Sequence, residues 1–382
     1  MTGDRLLEQS RRVAAEAEAA GLTRNGIAFR VDADSRIGVG HLMRSLALAE
    51  ACVERGSCAT IITACRSATL LERIRARGAD VVSLTEADLR DGGLARTAES
   101  VRGGRHGWVV LDGYDFGPAY QRGLRRSTPA RLLVIDDYAH HPSYDADVLL
   151  NQNVFAEQLE YRCAPDTVRL LGPRHALLRR EFRADPPPAR DVASVGRRIL
   201  VTLGGADPEQ VTLTVVRALD LVDLPNLEAT ILMGPVSRHV ETVRLAAEAS
   251  RRAGRRGFTV LHDVVDPRPL MATADVAITA GGSTCWELAY LGVPIAAVTV
   301  AENQRRIAAG LERLGVAVDL GWFRALEVGT IATQLGALLR NGPRRAEMSA
   351  RGRAVVDGRG TDRVLAALGA GPPARVAQRR GS

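Results

Sequence analysis

Short apolar runs alternate along the whole chain with longer stretches of helical period, and this alternation constrains the fold more than any other feature. Positions 27–31, 59–63, 108–111 and 132–135 read as strands in the first half, with helices at 41–54 and 70–77. The second half repeats the scheme, with strands at 199–203, 229–233, 259–261, 276–279 and 295–299 and helices at 209–219, 240–253 and 284–291. Apolar strands without polar alternation belong to parallel sheets covered by helices on both faces. A chain of 382 residues is long enough for two such units at roughly 100–200 residues each. Between the halves stand Pro186, Pro187 and Pro188, which cannot join a helix or a central strand and form a stiff extended spacer. The expectation is an α/β protein of two Rossmann-like domains, residues 24–185 and 196–370, facing a cleft and joined by a hinge near 184–197. Residues 1–23 form an N-terminal extension, with 6–20 either a short surface helix or disordered. Residues 371–382, rich in proline, glycine and arginine, are expected to be a flexible tail.

Composition removes several functional classes. The chain contains no lysine, so its 51 basic residues are all arginine. A Walker A loop and a Schiff-base enzyme both require a lysine and fall away. The net charge of +7 is spread along the chain and aromatics make up only 4% of it, which argues against a nucleic-acid surface. Five cysteines with no closely spaced pair give neither a disulfide framework nor a zinc ribbon. His140 and His141 are adjacent and would point apart on a regular element, so no metal and no cofactor are expected. No run is long enough to span a membrane and the first residues carry no secretory pattern, which makes the cytoplasm the expected location.

Two strand–glycine–helix junctions carry the chemical signal. The first follows 27–31 and turns on Gly38 and Gly40 before His41. Glycines there permit positive φ and close approach of a ligand to the backbone. Position 43, where a dinucleotide fingerprint has its third glycine, is Met43, so nicotinamide binding is not indicated. His41 falls in the first helical turn, where the helix end and Arg44 on the same face both favour an uncharged imidazole. Such a group can act as a general base; the alternative is a capping or packed histidine without chemistry.

The second junction is Gly281, Gly282, Ser283 and Thr284, followed by Glu287. Backbone N–H groups at such a helix start suit a diphosphate. Glu287 fits either a capping box with Thr284 or a carboxylate accepting ribose hydroxyls. Gly204 and Gly205 end another strand toward the same crevice, and Asn303 and Gln304 follow the strand at 295–299, at the carboxyl end where open α/β sheets bind ligands.

The pattern Arg30-x-Asp32, Ile37-Gly38-x-Gly40-His41-x-x-Arg44 resembles the signature of a nucleotide-sugar hydrolase family of pseudaminic acid biosynthesis, acting on UDP-2,4-diacetamido-2,4,6-trideoxy-β-L-altropyranose, whose relatives include spore-coat polysaccharide proteins. Val109 to Tyr114, Ile135-Asp136-Asp137, Leu149 to Asn153, Leu203 to Pro208 and Ala280 to Leu288 follow that family in order, over about residues 27–310. More distantly, Gly-x-Gly-His and Ser-Thr-x-x-Glu resemble the lipid II glycosyltransferase that uses UDP-N-acetylglucosamine. Both share the glycosyltransferase-B architecture. Ser45 stands where relatives often have cysteine.

The resemblance implies that the nucleotide lies on the second domain, with Ser283 and Thr284 at the diphosphate, Glu287 at the ribose, and backbone near Leu261 and Val264 at the base. It implies that His41 activates water, that Tyr114 and Asp112 line the sugar pocket, and that Arg30, Asp32, Gly38, Gly40 and Arg44 bind substrate. The expected reaction is metal-independent, inverting hydrolysis of a UDP-sugar at its anomeric carbon. Alternatives are an inverting UDP-sugar glycosyltransferase with another acceptor, and a catalytically silent nucleotide-sugar-binding protein. The expected partner is the small-molecule substrate, in a monomer or homodimer.

Overall fold

Strands β1 (Ile27–Val31), β2 (Ala59–Thr63) and β4 (Trp108–Asp112) are buried at every position, as continuous apolar runs require between two helical layers. With β3 (Asp80–Ser83), β5 (Arg131–Ile135), β6 (Val148–Asn151) and β7 (Val168–Leu171) they form a parallel sheet of order β3-β2-β1-β4-β5-β6-β7. This is a computed structural model and describes residues 26–34, 38–252, 254 and 257–370. The 1–23 extension, with its expected helix at 6–20, and the 371–382 tail lie outside the described residues, as do Ile37 of the first motif and Ala253 at the end of the expected 240–253 helix.

The second sheet comprises β8 (Arg198–Thr202), β9 (Glu228–Met233), β10 (Gly257–His262), β11 (Val276–Ala280), β12 (Ile295–Thr299) and β13 (Ala317–Trp322), in the order β10-β9-β8-β11-β12-β13. The expected pair of doubly wound α/β units is therefore the observed fold. Each sheet reverses its strand order once, at β1/β4 in the first and at β8/β11 in the second. Ligands of open α/β sheets bind outside the carboxyl ends of the strands at such switch points. Both junctions singled out in the sequence lie there.

Strands β3, β6, β7 and β13 were not read from the sequence. Of these, β3 is a four-residue edge element with no fully buried position, so it lacks an apolar run. The helix expected at 209–219 is observed at Val211–Leu221, because Gln210 adopts a left-handed conformation (φ 55°) that cannot be helical. The carboxylate of Asp207 caps this helix, accepting from the backbone N–H groups of Val211 and Thr212 at 2.9 and 3.0 Å.

The two halves are interleaved at both connections. Phe155, Leu178 and Phe182, which precede the proline spacer, pack in one core with Trp286, Leu288 and Ile295 of the second half. The last helix, Gly360–Ala370, follows the second sheet in sequence yet buries Val364, Leu365 and Leu368 against Leu42, Leu46 and Ala49 of the first. Fully burying such aliphatic side chains is worth about 1.5–3 kcal/mol each.

Candidate active site

The helix Gly40–Glu54 starts just after β1, and Asp112 is the last residue of the neighbouring β4. Parallel pairing of these strands brings His41 and Asp112 together at the switch point. Nδ1 of His41 lies 2.6 Å from Oδ1 of Asp112. Arg44, one turn along the helix, donates from Nε to Oδ2 of Asp112 at 2.8 Å and from Nη2 to Oδ1 at 2.7 Å, and Ser45 donates to Oδ2 at 2.9 Å. A carboxylate can only accept, so Nδ1 of His41 carries the proton and donates it to Asp112. The 2.9 Å approach of Arg44 Nη2 to the same nitrogen is then a shared edge between two donors. That tautomer leaves the lone pair on Nε2, which no group bonds among the described residues.

Asp112 is fully buried and does not line the cleft, in contrast to the sugar-wall position expected for it. Burial pushes its carboxyl up, but Arg44 and His41 beside it outweigh that and hold it below the usual range. Arg44 also donates from Nη1 to Asp137 at 2.7 Å. Its charge is matched by two carboxylates, Asp112 and Asp137, which the sequence did not reveal as its partners.

Asp137 follows β5 and collects several further contacts. It accepts from the hydroxyl of Tyr114 at 3.0 Å and from Asn153 Nδ2 at 3.3 Å. Burial raises its carboxyl, yet Arg44 dominates and holds it well below the usual carboxylate range. The Tyr114 ring meets the His41 ring edge-on, with centroids 4.9 Å apart. Its hydroxyl accepts from Asn303 Nδ2 of the second half at 2.7 Å. Burial and Asp137 together push that hydroxyl far up, so it serves as a hydrogen-bonding group and not as an ionised one.

The opposite wall is built from the carboxyl ends of the second sheet. Gly205 and Gly234 touch: a Cβ on Gly234 would stand 2.3 Å from Gly205 Cα, and one on Gly205 would stand 2.4 Å from Val39 of the first half. The two glycines therefore allow the loops after β8 and β9 to close against Val39, at the start of the helix that carries His41. At the start of Thr284–Leu291, the backbone N–H groups of Ser283 and Thr284 donate to no acceptor among the described residues, and a Cβ at Gly282 would meet nothing within 4 Å. This is an open donor cradle at a helix N-terminus.

The capping-box reading of Glu287 is not what the structure contains, since no side chain caps this helix. The Glu287 carboxylate is instead gripped from outside the helix by Arg179, through Nε at 2.6 Å and Nη2 at 2.8 Å.

A cleft of about 420 Å³ separates the walls. It brings together Gly38, Gly40, His41, Arg44 and Tyr114 from one side with Gly204, Gly205, Val264, Gly282, Ser283, Thr284, Glu287, Asn303 and Gln304 from the other. Arg30 and Asp32 are not brought there. Arg30 is buried against the Phe116 ring and pairs with Asp32 at 2.6 Å, and Asp32 accepts from the Ala64 backbone at 2.6 Å, so the pair ties the end of β1 to that of β2. Leu261 packs against the core that holds Trp286 and Leu288, and of the expected base-binding segment Asp263 and Val264 reach the cleft.

Asp137, Asn153, Arg73 and Arg179 also line the cleft, and sequence reasoning gave them no role. Asp137 and Asn153 sit in quoted motifs without an assigned function, whereas Arg73 and Arg179 carry no local signal. Arg73 crosses the cleft mouth to Asp263 at 2.6 Å.

No protein-family model matches the chain. Among solved structures, a glycosyltransferase from Rickettsia africae superposes with a TM-score of 0.60 at 13% identity, covering 90% of this chain and 97% of that one. MurG of Acinetobacter baumannii gives 0.58 at 17%, covering 90% and 99%. LpCGTa in complex with UDP gives 0.61 at 13%, covering 90% and 98%. At such identities the likeness is one of fold, and the fold is glycosyltransferase-B. By sequence, an uncharacterized protein of Methanocaldococcus jannaschii is 20% identical over 284 residues, 73% of this chain and 56% of that protein. The spore coat polysaccharide biosynthesis protein SpsG of Bacillus subtilis is 33% identical over 250 residues, 64% of this chain and 71% of SpsG. A third of positions shared across most of that relative's length means that the chain belongs to the SpsG spore coat polysaccharide biosynthesis family.

Proposed function

We propose that the protein is an enzyme acting on a nucleotide sugar, and that it hydrolyses a UDP-sugar of the 2,4-diacetamido-2,4,6-trideoxyhexose class at the anomeric carbon with inversion. The observation that carries this reading is the His41–Asp112 pair: Nδ1 is held at 2.6 Å by a buried carboxylate, on a wall facing the open N–H cradle of Ser283 and Thr284. Nε2 of His41 takes a proton from water as the water oxygen bonds to the anomeric carbon. The bond from that carbon to the UDP oxygen breaks, and UDP departs from the opposite face with the electron pair. Attack opposite the leaving group inverts the centre. Asp112 keeps the ring in the productive tautomer and faces the imidazolium that forms, as a buried carboxylate does in a base–orienter pair. Charge developing on the diphosphate meets preorganised backbone donors. Glu287 accepts the ribose hydroxyls, and Tyr114 with Asn303 borders the sugar.

UDP is already a good leaving group, so positioned water and proton removal by His41 are asked for about 10²–10⁴-fold of the rate. The test is incubation with a panel of nucleotide sugars and no added acceptor, reading UDP release and the anomer first formed by proton NMR. Release of UDP with inverted sugar is expected, and the His41→Ala variant should lose turnover while retaining UDP affinity. UDP release that appears only when a sugar, lipid or other acceptor is supplied overturns hydrolysis in favour of transfer. Binding without turnover under every acceptor overturns catalysis altogether.

A further inference from the structure

Arg179 stands out among the charges of the cleft because nothing in the reaction above uses it. It lies in the segment Leu178 to Phe182, whose apolar members Leu178 and Phe182 are buried in the core shared with Trp286 and Leu288. Its guanidinium rests 5.1 Å over the Phe182 ring. From there it meets Glu287 with two parallel hydrogen bonds, at 2.6 and 2.8 Å, with both side chains largely shielded from solvent. A third nitrogen, Nη1, lies 3.3 Å from Glu181. Glu181 in turn accepts from Arg77 at 3.3 Å, and Arg77 binds Glu50 at 2.7 Å. Glu50 belongs to the Gly40–Glu54 helix that carries His41. An alternating series of carboxylates and guanidiniums thus runs from Glu287 in one wall to the catalytic helix in the other. Arg179 is hydrogen-bonded to Glu287 on one side of its fork and lies within ion-pair distance of Glu181 on the other.

Such a pair has a specific chemical consequence. Each carboxylate oxygen has two lone pairs, and a bidentate arginine occupies only one on each. The remaining lone pairs of Glu287, which lines the cleft, stay available to hydroxyl donors in a fixed orientation. A buried carboxylate without its counter-ion would instead be costly to keep ionised.

We propose that Arg179 is a positioning residue for nucleotide recognition: it holds the Glu287 carboxylate in the orientation that accepts the two ribose hydroxyls, and it does not itself contact the diphosphate. This rests on the nucleotide reading given above. A lysine could not replace it, because a single ammonium cannot engage both oxygens in one plane.

The experiment is calorimetric titration of the wild type, Arg179→Met, Arg179→Lys and Glu287→Gln with UDP and with 2′,3′-dideoxy-UDP. The wild type is expected to prefer UDP by about ten-fold or more, the size of a charge-assisted hydrogen-bond effect. In Arg179→Met and Glu287→Gln that preference collapses, while affinity for the dideoxy nucleotide stays within about two- to three-fold of wild type. Arg179→Lys also loses most of the preference, and it carries the test if the methionine variant does not fold. Equal weakening of both nucleotides in the Arg179 variants would mean contact with the phosphates and overturns the proposal, as does an undiminished preference. A wild type that binds neither nucleotide sinks the nucleotide reading and the inference with it, whereas binding with an unchanged preference in the variants sinks only the inference.

Discussion

Nδ1 of His41 and Oδ1 of Asp112 lie 2.6 Å apart although 71 positions separate them in sequence. The contact exists because β1 and β4 are neighbours in the sheet, the first delivering the histidine helix and the second ending on the aspartate. Asp112→Asn keeps the shape but turns an acceptor into a group that can offer N–H, so the ring loses its reason to carry the proton on Nδ1. Turnover should fall by orders of magnitude while UDP affinity changes little, as measured by initial rates and calorimetry. Asp112→Ala, which also strips Arg44 of a buried counter-ion, should cost about 3–5 kcal/mol of stability in urea unfolding.

The bond from Asn303 to the Tyr114 hydroxyl spans the two halves. Tyr114→Phe removes it together with the bond to Asp137. A loss of about 1–3 kcal/mol in folding stability is expected, since two polar partners are left short of a hydrogen bond. Small-angle scattering should report a wider cleft, and KM for the nucleotide sugar should rise.

Gly205→Ala would place a methyl group 2.4 Å from Val39 Cγ2. Either the side chain of Val39 yields or the walls separate. Overpacking of this kind costs about 1–3 kcal/mol. Pairing it with Val39→Ala, which removes the opposing methyls, should restore most of the lost stability; absence of rescue would show that the strain lies elsewhere.

Acid should act on the protein in two windows. Burial, followed by Arg174 and Arg363 nearby, pushes the His175 imidazole from its ordinary 6.5 down to about 4. Between those values the unfolded chain binds a proton that the folded chain refuses, so stability falls as pH drops from 6.5 toward 4. His175→Gln should flatten that slope in urea titrations at stepped pH. Asp112 and Asp137, both held below their ordinary 3.8, act in the next window. Their contribution is complete above that value and is lost as pH falls through the lower folded values, so a second, steeper decline should appear below pH 3.8 and be reduced in Asp137→Asn.

Much of the fold was legible because buried parallel strands announce themselves as uninterrupted apolar runs, and the observed β1, β2, β11 and β12 reproduce such runs almost residue for residue. The edge strand β3 escaped because half-exposed elements need no such run. The glycine turns before His41 and Thr284 were readable for a local reason, since a ligand-sized approach to backbone requires glycine on the spot.

Partnership was another matter. The sequence placed Arg44 on the face of His41 but not with its partners Asp112 and Asp137; it left Glu287 as either its own helix's cap or a ribose acceptor, and its partner Arg179 lies 108 positions away. Arg30 and Asp32 carried the same motif as His41 yet face away from the cleft. The sequence alone determined which segments become strands, helices and tight turns, because those preferences are set within a few neighbouring residues. Only the tertiary structure decided which charges meet, because a hydrogen bond acts over about 3 Å and its partners are chosen by strand order and domain closure.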